Sequence, residues 1–423
     1  MEDTKKRILW YSDTPTCATG FGNVAKNLLK ELFKPGEQHL TVLGINYNGE
    51  PYDHEEFPYL KADRTNPLDG LWPANHNGDM YGLQKFLEFI RRGAFDVVYV
   101  LQDPFILKMV MPALQKLKDE LPKKFKLVFY FPIDCTPKKD WVDECIALVD
   151  YPVTYTQFAK REIEKIKPMP ALEVIYHGSD PKTFYPIQGQ ARDVIRGALF
   201  PGMPKDCFLV LNVNRNQQRK DLNRTFAAFA KFHKKQPNSF LFVHAAVNDV
   251  GGNLVEIAEA HGLVAGKDWS YPDPSVFNPA QGVPIEVVNQ IYAASDLVVS
   301  STLGEGWGLS LTEAMACKKP VLFPRHTSIE EIIGENEERG TFVRCGGPDH
   351  TIALGQQDNG RVRPLVHIDD MADKMLNICR YPSKYQKKAE AAYQWVLDHT
   401  WENKAKAWKE VFARALGDDH EQP

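Results

Sequence analysis

Two runs of the same alternation constrain this chain more than anything else in it. From RILWYS (7–12) onward, short apolar segments alternate with amphipathic ones: HLTVLGI (39–45), DVVYVLQD (96–103), KLVFYFPID (126–134) and VTYTQ (153–157) are separated by predicted helices at 22–33, 82–92, 107–119 and 139–147. The pattern restarts at FLVLNVN (208–214) and continues through SFLFVHAA (239–246), DLVVSS (296–301), PVLFP (320–324) and GTFVR (340–344). Helices at 222–235, 253–261, 285–293, 309–317 and 328–334 are expected between them. Strands that are apolar on both faces and bounded by helices call for a parallel sheet covered on both sides. The fold class is therefore α/β, as two Rossmann-like domains.

The 423 residues suit this reading, since a domain takes roughly 100–200. VIYHGSDPKTFYP (174–186), rich in glycine, proline and short polar residues, is a natural boundary. The expected domains are 1–179 and 180–381, with helices and a tail over 382–423. Trp401 and Trp408 lie a heptad apart and so share one helix face, which is expected to pack on a domain surface; a membrane-binding reading lacks an opposing basic face.

Composition excludes little but points to an ordinary water-soluble protein. Hydrophobic residues make up 43%, charged residues 25%, and the formal net charge is −4, so no strong field draws the chain toward nucleic acid. The start, MEDTKKRILWYSD, lacks the apolar region of a secretion signal, and no window approaches a membrane span; a cytoplasmic location is expected. The seven cysteines form no CxxC pair, and neither a disulfide framework nor a zinc site is indicated.

In open parallel sheets ligands bind beyond the carboxyl ends of the strands, and two such domains are expected to face a central cleft. The residues to inspect therefore follow strands. After the first comes SDTPTCATGFGNVAKN (12–27), where Gly20 and Gly22 bracket Phe21 before a helix. These glycines suit either a tight turn or close approach to an anion or sugar. The loop is not GxGxxG, so dinucleotide binding is poorly supported. Asp103 and Asp134 end strands of the first half, where a carboxylate either reaches a ligand hydroxyl or caps a turn. In LNVNRNQQRKDLNRTF (211–226), Arg215 and Lys220 flank a strand-to-helix loop, with Arg219 between. Two cations at a helix start oppose the helix dipole and favour a diphosphate ligand over a solvated charge run. No GxxxxGK[ST] loop is present, which removes the main support for kinase or ATPase chemistry.

The stretch LGEGWGLSLTEA (303–314) follows DLVVSS and enters a helix. Glu305 belongs to the exit loop, Glu313 to the helix, and the amides of Gly308 and Leu309 lie at the helix mouth, where they suit a phosphate. The two acids are expected to have different tasks, one on a sugar and the other on a ribose. An exposed loop Glu and an ordinary helix Glu remain the bland alternative.

Taken together, EGWGLSLTE (305–313), YAASD (292–296), NRNQQRK (214–220), TQFAKR (156–161) and HGSDPKTFYP (177–186) resemble the retaining glycosyltransferases of the two-Rossmann-domain (GT-B) architecture, specifically the GT4-like group with its E-x7-E motif. The resemblance spans nearly the whole chain. It implies transfer of a sugar from a nucleotide sugar, UDP- or GDP-linked, to an acceptor hydroxyl with retention, without a catalytic metal or a tightly bound cofactor. It also implies that Arg215 and Lys220 neutralise the donor diphosphate, Glu305 contacts the transferred sugar and Glu313 holds the ribose. Gly306, Trp307, Gly308 and Leu309 would line the donor, and the Gly20–Gly22 loop would meet donor phosphate and acceptor.

One departure stands out: many relatives carry a histidine in the loop after the fourth predicted strand, where this chain has FPIDCTP, so Asp134 or neighbouring backbone is the candidate replacement. The rival readings are a nucleotide-sugar epimerase of similar fold and a non-catalytic nucleotide-sugar-binding protein. The acceptor is open among a sugar, a lipid-linked sugar, a small metabolite and a modified DNA base. The polar excursion 46–75 and HNGDMYG (76–82) are candidates for shaping its pocket.

Overall fold

The protein is described by a computed structural model covering residues 4–62, 66–75, 78–200, 202–204, 206–275, 277 and 282–417. Two compact units divide it: residues 1–177 with 401–423, and residues 178–400.

In the first unit seven parallel strands form one sheet: β1 (Arg7–Asp13), β2 (His39–Ile45), β3 (Gly70–Pro73), β4 (Val97–Leu101), β5 (Lys126–Phe131), β6 (Tyr151–Thr154) and β7 (Glu173–Val174), in the order β3-β2-β1-β4-β5-β6-β7. The order reverses at β1, so the loop after β1 stands at the switch point of a doubly wound sheet. Ile8 to Tyr11 and Val97 to Leu101 are fully buried, as strands covered on both faces must be. The helix Gly20–Leu32 starts at Thr19, whose hydroxyl accepts from the Gly22 amide at 3.0 Å, and buries Val24, Ala25, Leu28 and Leu29.

The C-terminal helix Trp401–Leu416 belongs to this unit. Trp408 is fully buried against Tyr99 and Tyr130, with ring centroids 5.5 and 4.7 Å away, and Phe412 packs edge-on to Phe33 at 5.5 Å. Tyr151 donates to the Arg414 carbonyl at 3.0 Å and Lys6 to that of Leu416 at 2.9 Å, fixing the helix end. Trp401 and Trp408 therefore pack into the unit's interior, not against a membrane.

The second unit contains a six-stranded parallel sheet of β8 (Phe208–Val213), β9 (Ser239–His244), β12 (Trp269–Ser270), β13 (Leu297–Val299), β14 (Val321–Pro324) and β15 (Thr341–Val343), in the order β12-β9-β8-β13-β14-β15. Two small antiparallel pairs decorate it: β10 (Asn248–Asp249) with β11 (Gly252–Asn253), and β16 (Thr351–Ala353) with β17 (Val362–Pro364). The sheet order reverses between β8 and β13, so their exit loops lie side by side. The helix Pro382–Asp398 packs within this unit, where Lys388 bonds Glu337 at 2.8 Å and Trp395 stacks at 6.3 Å from Trp307. Thus the last two helices return to different units.

Several elements lie outside the predicted pattern: β3, β7, β12, both antiparallel pairs, and the helices Gly189–Leu199 and Ile368–Arg380. The predicted helix 107–119 is broken into Pro104–Leu107, a 3₁₀ turn at Lys108–Val110 and Met111–Glu120, and the predicted helix 139–147 into Lys139–Asp143 and a 3₁₀ turn at Ile146–Leu148. In HNGDMYG, His76 and Asn77 lie outside the described residues, as do 63–65 within the excursion 46–75.

Candidate functional site

The exit loop of β8 is pinned by amides. Asn216 Nδ2 donates to the carbonyls of Gly252, Ala246 and Val247 at 2.8, 3.2 and 3.3 Å, and Asn214 Nδ2 to Asn212 Oδ1 at 2.8 Å. Gln218–Lys220 make one 3₁₀ turn, and Asp221 at φ 46° starts the helix Leu222–Lys235. The turn is tied to the neighbouring exit loop: the Leu303 amide donates to the Arg219 carbonyl at 2.8 Å, and Ser301 Oγ to that of Asp221 at 2.7 Å. The consequence is electrostatic. Lys220 Nζ lies 2.5 Å from Glu305 Oε1, and Arg219 Nη1 lies 4.0 Å from Oε2 while also donating to the Gly304 carbonyl.

Glu305 is only 7% exposed. Burial alone would raise its pKa, but Lys220 and Arg219, with hydrogen bonds from Lys220 and Thr302, hold it below the ordinary glutamate value. Its backbone is held as firmly: the amide donates to Thr327 Oγ1 at 3.2 Å, and the carbonyl accepts from Ser328 Oγ at 2.9 Å.

Gly308 stands at the N-cap of Leu309–Ala316 with φ 101°, a left-handed conformation that favours glycine. It offers no side chain to cap the helix. Glu313, one turn into the helix, is partly buried and accepts from the Tyr292 hydroxyl at 2.7 Å. Desolvation raises its pKa to about 7 against the hydrogen bond from Tyr292. The two acids of the motif are therefore shifted in opposite directions, Glu305 below and Glu313 above the ordinary glutamate value. Gly306 and Trp307 complete the loop, Trp307 being buried with its carbonyl accepting from Ser328 Oγ at 2.7 Å.

Arg215 is placed differently. Its guanidinium forks onto Asp249, Nε to Oδ2 at 2.8 Å and Nη2 to Oδ1 at 3.2 Å, and its side chain is 62% exposed. The structure thus joins Lys220, Glu305, Gly306, Trp307, Gly308, Leu309 and Glu313 in two adjoining loops and a helix, while Arg215 is engaged by the β10/β11 pair. Arg219, Thr327, Ser328 and Tyr292 were not singled out as site residues by the sequence. Arg219 had a signal in its place between the two chosen cations, and Tyr292 in opening YAASD, one of the segments that carry the resemblance.

In the first unit, Thr19 Oγ1 donates to Asp13 Oδ2 at 2.5 Å, and burial raises the Asp13 pKa against that bond. Gly20 opens the following helix and is exposed. Gly22 has a packing reason: a Cβ there would lie 2.6 Å from the Cys17 carbonyl oxygen and 2.8 Å from that of Thr14. Asp134 is partly buried in the loop after β5, and Asp103 stands at the N-cap of Pro104–Leu107 without a capping bond from its side chain. None of the seven cysteines forms a disulfide.

Among the described residues, no group of three or more His, Cys, Asp or Glu side chains is placed to hold a metal ion, and no helix is long and apolar enough to cross a membrane. The family profile described as "Glycosyl transferases group 1" matches residues 280–395, the stretch that holds Glu305 and Glu313. A curated relative, D-inositol 3-phosphate glycosyltransferase of Corynebacterium urealyticum, is 27% identical over 248 residues, which are 57% of this chain and 50% of the relative; the chain spans about half the length of that protein. Among solved structures, sucrose-phosphate synthase of Thermosynechococcus elongatus superposes with TM-score 0.71 at 16% identity, over 98% of this chain and 100% of that one. The Anabaena HepE protein in complex with UDP and glucose gives TM-score 0.69 at 13% identity, over 98% and 100%. A glycosyltransferase of Rickettsia africae gives 0.69 at 15%, over 99% and 100%. With its two Rossmann-like units and their C-terminal helices, the chain has the two-Rossmann-domain (GT-B) fold seen in these structures.

Proposed function

We propose that the protein is a retaining glycosyltransferase that moves a sugar from a UDP- or GDP-sugar to an acceptor hydroxyl. The observation that carries the reading is the buried Lys220–Glu305 pair beside the glycine-capped helix that bears Glu313. This arrangement offers a cation and a helix N-terminus to a diphosphate, a carboxylate to a sugar, and a second carboxylate to a ribose. UDP and glucose bound to the HepE fold relative, and UDP-glucose bound in another crystal of it, support a donor of this class.

Lys220 has three N–H donors, so it can keep Glu305 and still meet a phosphate oxygen. As the bond between the anomeric carbon and the diphosphate oxygen breaks, negative charge grows on the leaving group. Lys220, Arg219 and the dipole of Leu309–Ala316 are set to stabilise it. The acceptor oxygen then bonds to the anomeric carbon on the same face, and its proton passes to a leaving phosphate oxygen. Glu305 grips sugar hydroxyls; it is not assigned as a nucleophile, because both acids of the motif belong to the donor side and do not flank the bond. Arg215 is turned onto Asp249 while Lys220 stands beside Glu305, and Lys220 is taken as the principal cation.

The test is a thermal-shift screen of nucleotide sugars, followed by mass spectrometry of products with and without an acceptor panel. A glycosylated acceptor and free nucleoside diphosphate are expected. An epimerised sugar nucleotide, or free nucleotide released without any acceptor, would replace this reading with the epimerase one. Binding without turnover against a broad panel would favour a binding protein.

A further inference from the structure

Seven non-glycine residues among those described have positive φ, and Thr327 is the β-branched one. Its backbone, φ 51° and ψ −137°, lies outside even the left-handed helical region that Asp221 occupies at φ 46° and ψ 50°. A branched Cβ is least tolerated there, so the conformation persists only if surrounding contacts enforce it. Those contacts converge on Glu305.

The proton inventory around Thr327 is determined by its neighbours. His326 Nε2 lies 2.8 Å from the Thr302 carbonyl, which can only accept, so Nε2 carries the proton. Burial lowers the pKa of His326 and keeps the ring neutral. Its Nδ1, 3.1 Å from Thr327 Oγ1, is then an acceptor, and the threonine hydroxyl donates to it. A lone pair of Oγ1 is left to receive the Glu305 amide at 3.2 Å. The next residue holds the other side of the same peptide segment: Ser328 Oγ donates to the carbonyls of Glu305 at 2.9 Å and Trp307 at 2.7 Å. Both residues are buried. Two consecutive hydroxyls on the exit loop of β14 thus clamp the amide and carbonyl of one residue on the exit loop of β13.

We propose that Thr327, with Ser328, is a positioning residue that fixes the Glu305 carboxylate against Lys220 and toward the donor sugar, and that its strained backbone is the consequence of that task. The inference deepens the donor-site reading and rests on it for the role of Glu305. Side-chain placement in such a site must hold to a fraction of an ångström, and a carboxylate on a loop lacks that precision without a supporting shell. A threonine selected only for packing would gain by becoming glycine at this φ and ψ. A threonine that positions Glu305 would lose function by the same change.

The experiment compares Thr327→Gly, Thr327→Val and Thr327→Ser with the parent full-length protein. It reads melting temperature, the ¹³C carboxyl titration of Glu305, and kcat and KM for the nucleotide sugar. Gly removes strain and acceptor together; Val keeps the branched shape without the acceptor; Ser keeps the acceptor. Thr327→Gly is expected to melt no lower than the parent while its Glu305 midpoint rises toward the ordinary glutamate value and kcat falls about tenfold. Thr327→Val is expected to show the same midpoint and kcat changes, and Thr327→Ser to restore both. An unchanged Glu305 midpoint and kcat in Gly and Val, or failure of Ser to restore them, overturns the proposal. Should the parent transfer no sugar at all, the glycosyltransferase reading falls, and the Glu305 titration still decides whether Thr327 positions that carboxylate.

Discussion

The Lys220 ammonium lies 2.5 Å from Glu305 Oε1, and the two side chains are only 12% and 10% exposed. Each is the other's main compensation for leaving water. Their attraction is strong because the surroundings are poor in solvent, and for the same reason either partner alone would be costly to bury.

Lys220→Met is therefore expected to lower both stability and donor affinity. Breaking a buried pair by removing one partner costs about 3 kcal/mol or more, because the remaining charge is uncompensated. Arg219 at 4.0 Å moderates this loss. Adding Glu305→Gln to Lys220→Met should recover most of the melting temperature without recovering nucleotide-sugar binding in calorimetry. A single variant with the parent's melting temperature and donor affinity would show that the pair has neither role.

Glu305→Gln separates sugar from diphosphate. It keeps the size of the side chain, frees Lys220 from its anionic partner, and removes a charged acceptor from the sugar. A hydrogen bond to a charged group contributes about 1.5–3 kcal/mol, so the rate of transfer should fall roughly tenfold to a hundredfold. Binding of the bare nucleoside diphosphate should be unchanged or tighter. Weaker binding of UDP or GDP alone would mean that Glu305 serves the nucleotide end, by holding Lys220, and not the sugar.

Much of the frame of this site is legible in the chain. Strands covered on both faces leave unbroken apolar runs, and β1, β2 and β8 are found where those runs are; the helix Leu222–Lys235 has the predicted bounds. Glu305 and Glu313 could be placed on a loop and a helix because strand, glycine loop and helix follow one another directly. The partner of Arg215 could not: Asp249 comes from a two-residue strand pair 34 positions away, too short to leave a periodic signal. The role of Arg219 depends on how the exit loops of β8 and β13 lie beside each other, through backbone bonds such as Leu303 to Arg219, and that of Thr327 on the neighbouring exit loops of β13 and β14. The β16/β17 pair has three residues per strand and is mostly exposed, so it too lacks the apolar alternation that reveals buried strands.

Glu313 sets an expectation about pH. Its pKa is raised from 4.5 to about 7 by burial. The folded state therefore holds this proton where the unfolded chain has released it, and the group's contribution to stability is full below pH 4.5 and lost as pH rises to about 7. Glu313→Gln should remove that slope and gain on the parent between pH 4.5 and 7, with a constant difference above. Donor affinity should move the other way in the parent, improving as pH rises through about 7, because the ionised carboxylate accepts from both ribose hydroxyls. Calorimetric titrations with UDP and GDP between pH 5.5 and 8.5 would test it; a flat profile in the parent, or the same profile in Glu313→Gln, would remove Glu313 from the ribose.

Two glycines should respond to alanine for different reasons. At Gly308 the added Cβ has room, its nearest neighbour being Leu311 Cβ at 3.7 Å, but φ 101° disfavours any side chain. A loss of about 1–2 kcal/mol is expected from the backbone alone. Nucleotide affinity should fall with it, since the methyl group stands at the N-cap from which the helix amides face a phosphate. At Gly22 the backbone is ordinary helix, and the Cβ collides with the carbonyl oxygens of Cys17 and Thr14 at 2.6 and 2.8 Å. There the strain falls on the loop after β1, at about 1–3 kcal/mol for forced overpacking. Hydrogen exchange resolves the two: Gly22→Ala should lose protection around residues 14–25 with Glu305 and Glu313 unaffected, whereas Gly308→Ala should loosen 305–313 and leave 14–25 protected. Exchange that spreads equally through both units in either variant would mean that the two Rossmann-like units unfold as one.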